Sequence, residues 1–159
     1  MSRAQFPVVV HILLRRRGST GEQIYLQRRQ NTGFLDGFFV LPGGHAEQDE
    51  LPLAAAAREL MEETGLRDLP LRPCALLPYA TRRGSGINLV FETVLEGSAC
   101  TELPTLAEPA VADLALWADV AALPEPLPGW IRTLLQLHSR GDWYAEVRSG
   151  KRVTYNARP

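Results

Sequence analysis

Glu59, Glu62 and Glu63 crowd three carboxylates onto one short stretch whose composition otherwise favours a helix. A helix turns about 100° per residue, so Glu62 and Glu63 fall within about 60° on either side of Glu59. Like charges on one stripe repel, and a merely solvated face would have Lys or Arg interspersed there. The stripe makes physical sense as a cradle for a hard cation, since Mg²⁺ takes carboxylate oxygens and keeps several waters. A cation held that way beside a glycine-rich loop suits attack on phosphorus, because it neutralises phosphate oxygens and acidifies a bound water.

The flanking residues read as the scaffold of that stripe. Asp49 or Glu50 is expected to cap or charge the helix start, and Pro52 suits a first turn. The alanines at 54 to 57 are strong helix formers. Leu53, Ala56, Ala57 and Leu60 follow helical spacing and are expected to anchor the helix on a core. Gly65 suits a left-handed C-terminal position. Arg58 precedes Glu62 by four positions, the spacing for a charge-assisted bond that orients a metal-binding carboxylate. Ahead of the helix, Leu41-Pro42-Gly43-Gly44 lets backbone approach a ligand more closely than a Cβ would allow.

These residues together resemble the Nudix box, the signature of the Nudix hydrolase superfamily. Gly44, Glu50, Arg58, Glu59, Leu60, Glu62, Glu63, Gly65 and Leu66 meet every position of that pattern. Seven positions fixed in type, at about one residue in fifteen each, make a chance match on the order of 10⁻⁸ per register. One neighbouring position departs from a common preference: Asp49 stands where many members carry Gly. The resemblance implies an α+β fold, an α/β/α sandwich with a mixed β-sheet, over residues 1–148. Residues 149–159 are a polar tail expected to be partly disordered.

The resemblance also implies an activity: hydrolysis of a nucleoside diphosphate linked to another group, by water attack on a phosphorus. It implies Mg²⁺ as cofactor, with Mn²⁺ as a substitute. Glu59, Glu62 and Glu63 are then the metal ligands, joined by the backbone carbonyl of Gly43, and Arg58 orients the glutamates. Glu59 is also a candidate general base, because the family does not use one base throughout. Glu50 and Gly44 support the loop–helix junction, and Glu50 is a candidate ligand for a second metal. Members often take an additional acid from outside the box. Glu108, in a loop before a strand that ends in Trp117, is the candidate, and Glu92, inside a strand pattern, is the alternative.

The segment Asn31-Thr32-Gly33-Phe34-Leu35-Asp36-Gly37 resembles a bacterial MutT-like subgroup. Asn31 and Asp36 could read a base or ribose, although Asx turns account for both. Arg28, Arg29, Arg82 and Arg83 could grip phosphates, or could be solvated hairpin charges. Tyr79, Phe34 and Phe38 could stack a base or fill a core rim. His45 reads as a loop hydrogen-bonder, while His11 and His138 carry no signal. The favoured activity is a nucleoside triphosphate pyrophosphatase. The alternatives are hydrolysis of ADP-ribose, a nucleotide sugar or a dinucleoside polyphosphate, and a non-catalytic nucleotide-binding regulator.

The whole chain must supply one core around this stripe. Its 159 residues are 45% hydrophobic and 22% charged, enough for a single globular domain. A net charge of −1 argues against a nucleic-acid polymer or an anionic membrane as partner. Small-molecule nucleotides are the expected partner, and a homodimer is allowed. All basic residues but Lys151 are arginine. Cys74 and Cys100 lack metal spacing, and no signal peptide or spanning run is visible, so the expected location is cytoplasmic.

The elements expected to position the stripe begin with a strand over Pro7 to Arg17, buried on both faces. Gln23 to Arg28 follows as its hairpin partner, and Phe38 to Leu41 as a short strand. Strands over Leu71 to Tyr79 and Ile87 to Leu95 come after the helix, joined through Arg82 to Gly86. A loop over Gly97 to Pro109, a strand over Asp113 to Trp117 and a helix over Leu127 to Arg140 follow. That helix groups Trp130, Leu134, Leu135 and Leu137 on one face. Trp143 to Arg148 closes the set as a last strand.

Overall fold

The structure, a computed structural model, describes residues 5–82, 84–96, 104–148 and 151–153. Arg83, Cys100 and most of the expected polar tail lie outside the described residues. Among the described residues nine strands and two helices follow one another: β1 Val8–Arg17, β2 Glu22–Arg29, β3 Phe39–Val40, β4 Gly43–His45, α1 Pro52–Thr64, β5 Arg72–Thr81, β6 Gly84–Leu95, β7 Ala112–Asp119, α2 Gly129–Arg140, β8 Glu146–Arg148 and β9 Lys151–Val153. They form one mixed sheet in the order β3-β2-β1-β6-β5-β8-β9, with β4 added to β1 and β7 added to β2. β1 runs parallel to β6, and β5 runs parallel to β8. The other pairs are antiparallel.

Alternation along the central strands sends side chains to two cores. On β1, Val10, Ile12 and Leu14 pack with Ala55, Ala56 and Leu60 of α1. Leu13 turns the other way, with Ile24 and Leu26 of β2, to meet Ile131, Leu134 and Leu137 of α2. Helices therefore cover opposite faces, and the α/β/α sandwich is the observed architecture. No helix among the described residues is long and apolar enough to cross a membrane.

The structure corrects three local expectations. Neither Asp49 nor Glu50 caps α1: Leu51 is the N-cap residue and makes no side-chain cap bond. The Glu50 carboxylate is committed elsewhere, to the Glu47 N–H at 3.0 Å and to Arg58. The apolar face of α1 is rotated, so that Ala55 and Ala56 are buried while Leu53 is 53% exposed and Ala57 is exposed too. Small alanines let the helix lie close on Val10 and Ile12, which a leucine there would prevent. Finally, Gly43–His45 form β4 against β1, where a loop was expected.

Gly65 ends α1 as expected, at φ 73° with its N–H on the Met61 carbonyl. The β5–β6 hairpin runs closer to its turn than expected, with pairing as far as Thr81 and Gly84. Trp130 and Leu135 of α2 are only partly buried, and Ile131 and Thr133 share its buried face. Lys151–Val153, within the expected tail, pair with β8. Cys74 is a free thiol.

Candidate active site

Helix α1 delivers its acids to the glycine corner between β3 and β4. Gly43 has φ 147°, and a Cβ there would sit 2.1 Å from the Val10 carbonyl oxygen, so only glycine fits against β1. Its N–H donates to Oε2 of Glu63 at 3.2 Å. A Cβ on Gly44 would come within 2.3 Å of Oε1 of Glu59. The two glycines thus do different jobs: one lets β4 pair, the other leaves room for a carboxylate. Asp49, at the position where Gly is common, holds φ 63°. That left-handed conformation is open to Gly and, among other residues, most readily to Asn and Asp.

Arg58 ties the box together. Its Nε and Nη2 grip both oxygens of Glu50 at 3.0 and 2.9 Å. Its Nη1 donates to Glu59 at 2.8 Å and to Glu62 at 3.0 Å, and Nη2 also reaches the His45 carbonyl at 3.2 Å. The bond from Arg58 holds the Glu50 carboxyl below its ordinary range, and the glutamates, Glu50 first, raise the guanidinium above its own. This fork anchors the loop before α1 to the acidic stripe.

Glu59 and Glu63 are in the opposite electrostatic position. Burial, then the charge of Glu59, pushes the Glu63 carboxyl from 4.5 up to about 8. Burial also raises Glu59, against the pull of Arg58. Glu108 adds repulsion to both acids. Its loop is held to the end of α1, where the Ala107 N–H donates to the Glu63 carbonyl at 3.1 Å. Glu92, the alternative acid, sits instead on the α2 face, bonded to Arg15 at 2.9 Å, Arg72 at 3.1 Å and His138 at 2.9 Å.

Among the described residues no three acidic, His or Cys groups already close on a common point as a finished ion site. Glu62 is turned to Arg58 and is 42% exposed at its side chain. The donor chemistry nevertheless fits a divalent cation. Two half-buried carboxylates and a third acid repel one another, and among the described residues one of the two is bonded only to the Gly43 N–H. A hard cation is the group that relieves such a set.

The acids open on a cleft of about 1140 Å³ that crosses the α2 face of the sheet. Glu59, Glu63, Gly43 and Gly44 line it together with Tyr79, Arg82, Asn88 and Trp130. Arg29 also lines it, with Nε on the Phe34 carbonyl at 3.0 Å and a charge that favours the ionised form of Glu63. Phe34 and Phe38 lie at the rim. Three expected substrate residues are placed elsewhere. Arg28 pairs with Asp113 in a two-bond contact, each at 2.8 Å. Asn31 donates to the Ala110 carbonyl at 3.4 Å, and Asp36 closes the turn by accepting from Thr32 and Gly33.

His11 is the residue that sequence reasoning passed over. It pairs in register with Gly43, its ring lies 4.4 Å from that of Trp130, and it lines the cleft. Its Nε2 is 3.3 Å from Oδ1 of Asn88, while the buried Nδ1 has no partner among the described residues. Burial takes its pKa down to about 4, so the ring is neutral near pH 7. Strand period puts His11 on the same face of β1 as Val9 and Leu13, but nothing in the sequence places that face beside Gly43, because the β4 pairing is tertiary.

A sandwich whose first helix holds half-buried carboxylates against a glycine corner, in the lining of a large cleft, defines a phosphate-directed hydrolase class. The chain matches the NUDIX domain model over residues 5–137 and belongs to the Nudix family. It is a Nudix hydrolase. Solved structures agree on the fold. One is a MutT NUDIX hydrolase from Burkholderia pseudomallei, at TM-score 0.71 and 22% identity over 84% of this chain and 98% of that one. Another is the NUDIX domain of Shewanella oneidensis NrtR complexed with ADP ribose, at TM-score 0.65 and 19% identity over 87% and 90%. A third is the Ap4A hydrolase of C. elegans, at TM-score 0.62 and 14% identity over 86% and 98%. A search of curated protein sequences finds no match.

Proposed function

We propose that this hydrolase cleaves a diphosphate linkage in a nucleoside diphosphate derivative with Mg²⁺ bound at the box, and that nucleoside triphosphates are its substrates. The observation that carries the reading is the joint placement of half-buried, mutually repelling Glu59 and Glu63 with Arg29 in one cleft. Glu59, Glu62, Glu63 and the Gly43 carbonyl would hold the ion. When bound, it supplies charge neutralisation at phosphate and a water acidic enough to attack phosphorus.

The chain's own groups do the rest. Arg58 fixes the Glu50–Glu59–Glu62 set so that the carboxylates do not drift into solvent. Burial and the charge of Glu59 hold the Glu63 proton on the carboxyl, and a cation bound at the box would favour its ionised form. Glu59 can accept a proton from water, and Glu108 adds negative charge near the attacking side. Arg29 would meet a phosphate oxygen with its Nη edge, its Nε being bonded to the Phe34 carbonyl. Tyr79 and Trp130 offer aromatic surface to the nucleoside.

A cleft of about 1140 Å³ also admits the longer two-headed diphosphates, ADP-ribose and dinucleoside polyphosphates. A panel of nucleotides with Mg²⁺ or Mn²⁺, scored for released products, separates the readings. Monophosphate plus diphosphate from a triphosphate supports the first; turnover of two-headed substrates alone supports the second. No product from any nucleotide overturns both.

A further inference from the structure

Gln27 is a polar side chain only 5% exposed, and it lies outside the cleft lining. Strand alternation puts it on the same face of β2 as Tyr25, which packs with Ala55, Ala56 and Leu60 of α1. An amide on such a face is costly unless its polar atoms are bonded. Nε2 of Gln27 donates to Oη of Tyr25 at 3.2 Å and to the backbone carbonyl of Glu63 at 3.1 Å. A carbonyl only accepts, so the nitrogen of the amide, and not its oxygen, faces Glu63.

That carbonyl is one of the four at the end of α1 that have no partner inside the helix. Its second donor is the Ala107 N–H, also at 3.1 Å, from the residue before Glu108. The two bonds fill both lone pairs of the oxygen. Glu63 is therefore held at two points. Gln27 and Ala107 hold its backbone, and the Gly43 N–H holds its carboxylate at 3.2 Å. The buried apolar residues of α1, Ala55, Ala56 and Leu60, all precede this last turn, where Thr64 is the buried residue. Apolar contact has no preferred direction and lets a helix end slide, whereas a hydrogen bond to its backbone fixes both distance and angle.

We propose that Gln27 is a positioning residue of the hydrolase site: its amide locates the last turn of α1 so that the Glu63 carboxylate meets the glycine corner. This rests on the reading of that corner as the place of cation-assisted hydrolysis. Gln27 touches neither substrate nor ion. Without its bond the Glu63 carbonyl keeps Ala107 alone, and Glu62 and Glu63, which share the turn, shift together. A misplacement of about 1 Å at such a group is enough to cost about a hundredfold in rate.

The test compares Gln27→Met, which fills similar space without a donor, and Gln27→Asn, whose amide stops one methylene short, with Leu137→Ala. The last opens a cavity in the opposite core and controls for lost stability alone. Hydrolysis of ribonucleoside triphosphates and of ADP-ribose is measured well below every melting point. Each Gln27 variant is expected to lower kcat, and Mg²⁺ affinity in calorimetry, by about tenfold to a hundredfold, with KM at saturating Mg²⁺ within about twofold. In EDTA, amide hydrogen exchange at Gly43 should speed up about tenfold in both, because that N–H rests on the Glu63 carboxylate. Leu137→Ala should leave kcat, Mg²⁺ affinity and this exchange within about twofold of wild type. Wild-type kcat, Mg²⁺ affinity and Gly43 exchange in the Gln27 variants, or equal losses in Leu137→Ala, overturn this proposal alone. No turnover by the wild type overturns the hydrolase reading and this proposal with it.

Discussion

Replacing Glu63 by Gln separates the electrostatics of the empty site from its chemistry. Folding raises the Glu63 carboxyl from 4.5 to about 8 by burial and by the charge of Glu59. A carboxyl raised by folding stabilises the fold most below its unfolded pKa. That contribution is lost as pH climbs through the folded one. The metal-free protein should therefore weaken between about pH 4.5 and 8 and level off above. At ~1.4 kcal/mol per pH unit, this window is worth at most about 5 kcal/mol. Water entering through the open cleft reduces the figure to about 2–3 kcal/mol. Glu63→Gln carries no charge at any pH and keeps the volume. In EDTA the two proteins should melt together at pH 5, and the variant should melt about 5–10 °C higher at pH 9. The other titrating groups are common to both, so their difference reads Glu63 together with its coupling to Glu59. Excess Mg²⁺ should reverse the order, because only the wild type gains a full ligand set, and the variant should lose turnover by orders of magnitude. Parallel melting curves from pH 5 to 9 in EDTA would refute the reasoning.

Other expectations follow from the same geometry. Gly44→Ala should keep the fold, since only the Glu59 carboxylate tip must move, yet lower kcat about a hundredfold. Gly43→Ala should cost more than about 3 kcal/mol, visible as loss of soluble folded protein, because its Cβ meets β1 backbone at 2.1 Å. Arg58→Ala should destabilise by about 2–3 kcal/mol in chemical denaturation by freeing Glu50, Glu59 and Glu62, with Arg58→Lys recovering only part because it cannot grip Glu50 with a fork. Glu108→Gln should lower the Glu63 titration midpoint, read by carboxyl carbon NMR, and an unchanged midpoint would place Glu108 outside the acid cluster. In the metal-bound protein, Glu62→Gln should weaken Mg²⁺ binding in calorimetry; wild-type affinity would remove Glu62 from the ligand set.

The acidic stripe, its arginine and its glycine corner were legible because they are neighbours along the chain. Helical period alone places Glu59, Glu62 and Glu63 on one stripe and Arg58 within reach of Glu62. Most strands of the sheet were legible from apolar runs, and the sandwich from the resemblance of the box more than from the order of strands and helices. The direction of the α1 apolar face was not, because a helix with leucines and alanines on several sides can be turned either way until the sheet chooses the closest approach. β4 was hidden because Gly43 and Gly44 carry no strand preference and pair only because β1 offers an edge.

The substrate side was decided by tertiary structure. Arg28 and Arg29 are adjacent in sequence, but strand alternation sends Arg28 to Asp113 on β7 and Arg29 to the cleft. Sequence shows that they diverge, not which one faces the ligand. His11 and Asn88 are 77 positions apart and meet only because β1 and β6 lie parallel. Local spacing determined where a cation would sit, because one helix fixes those distances by its own hydrogen bonds. Which side chains face the rest of the cleft depended on strand register and on the docking of α2, and both are set by burying two cores at once.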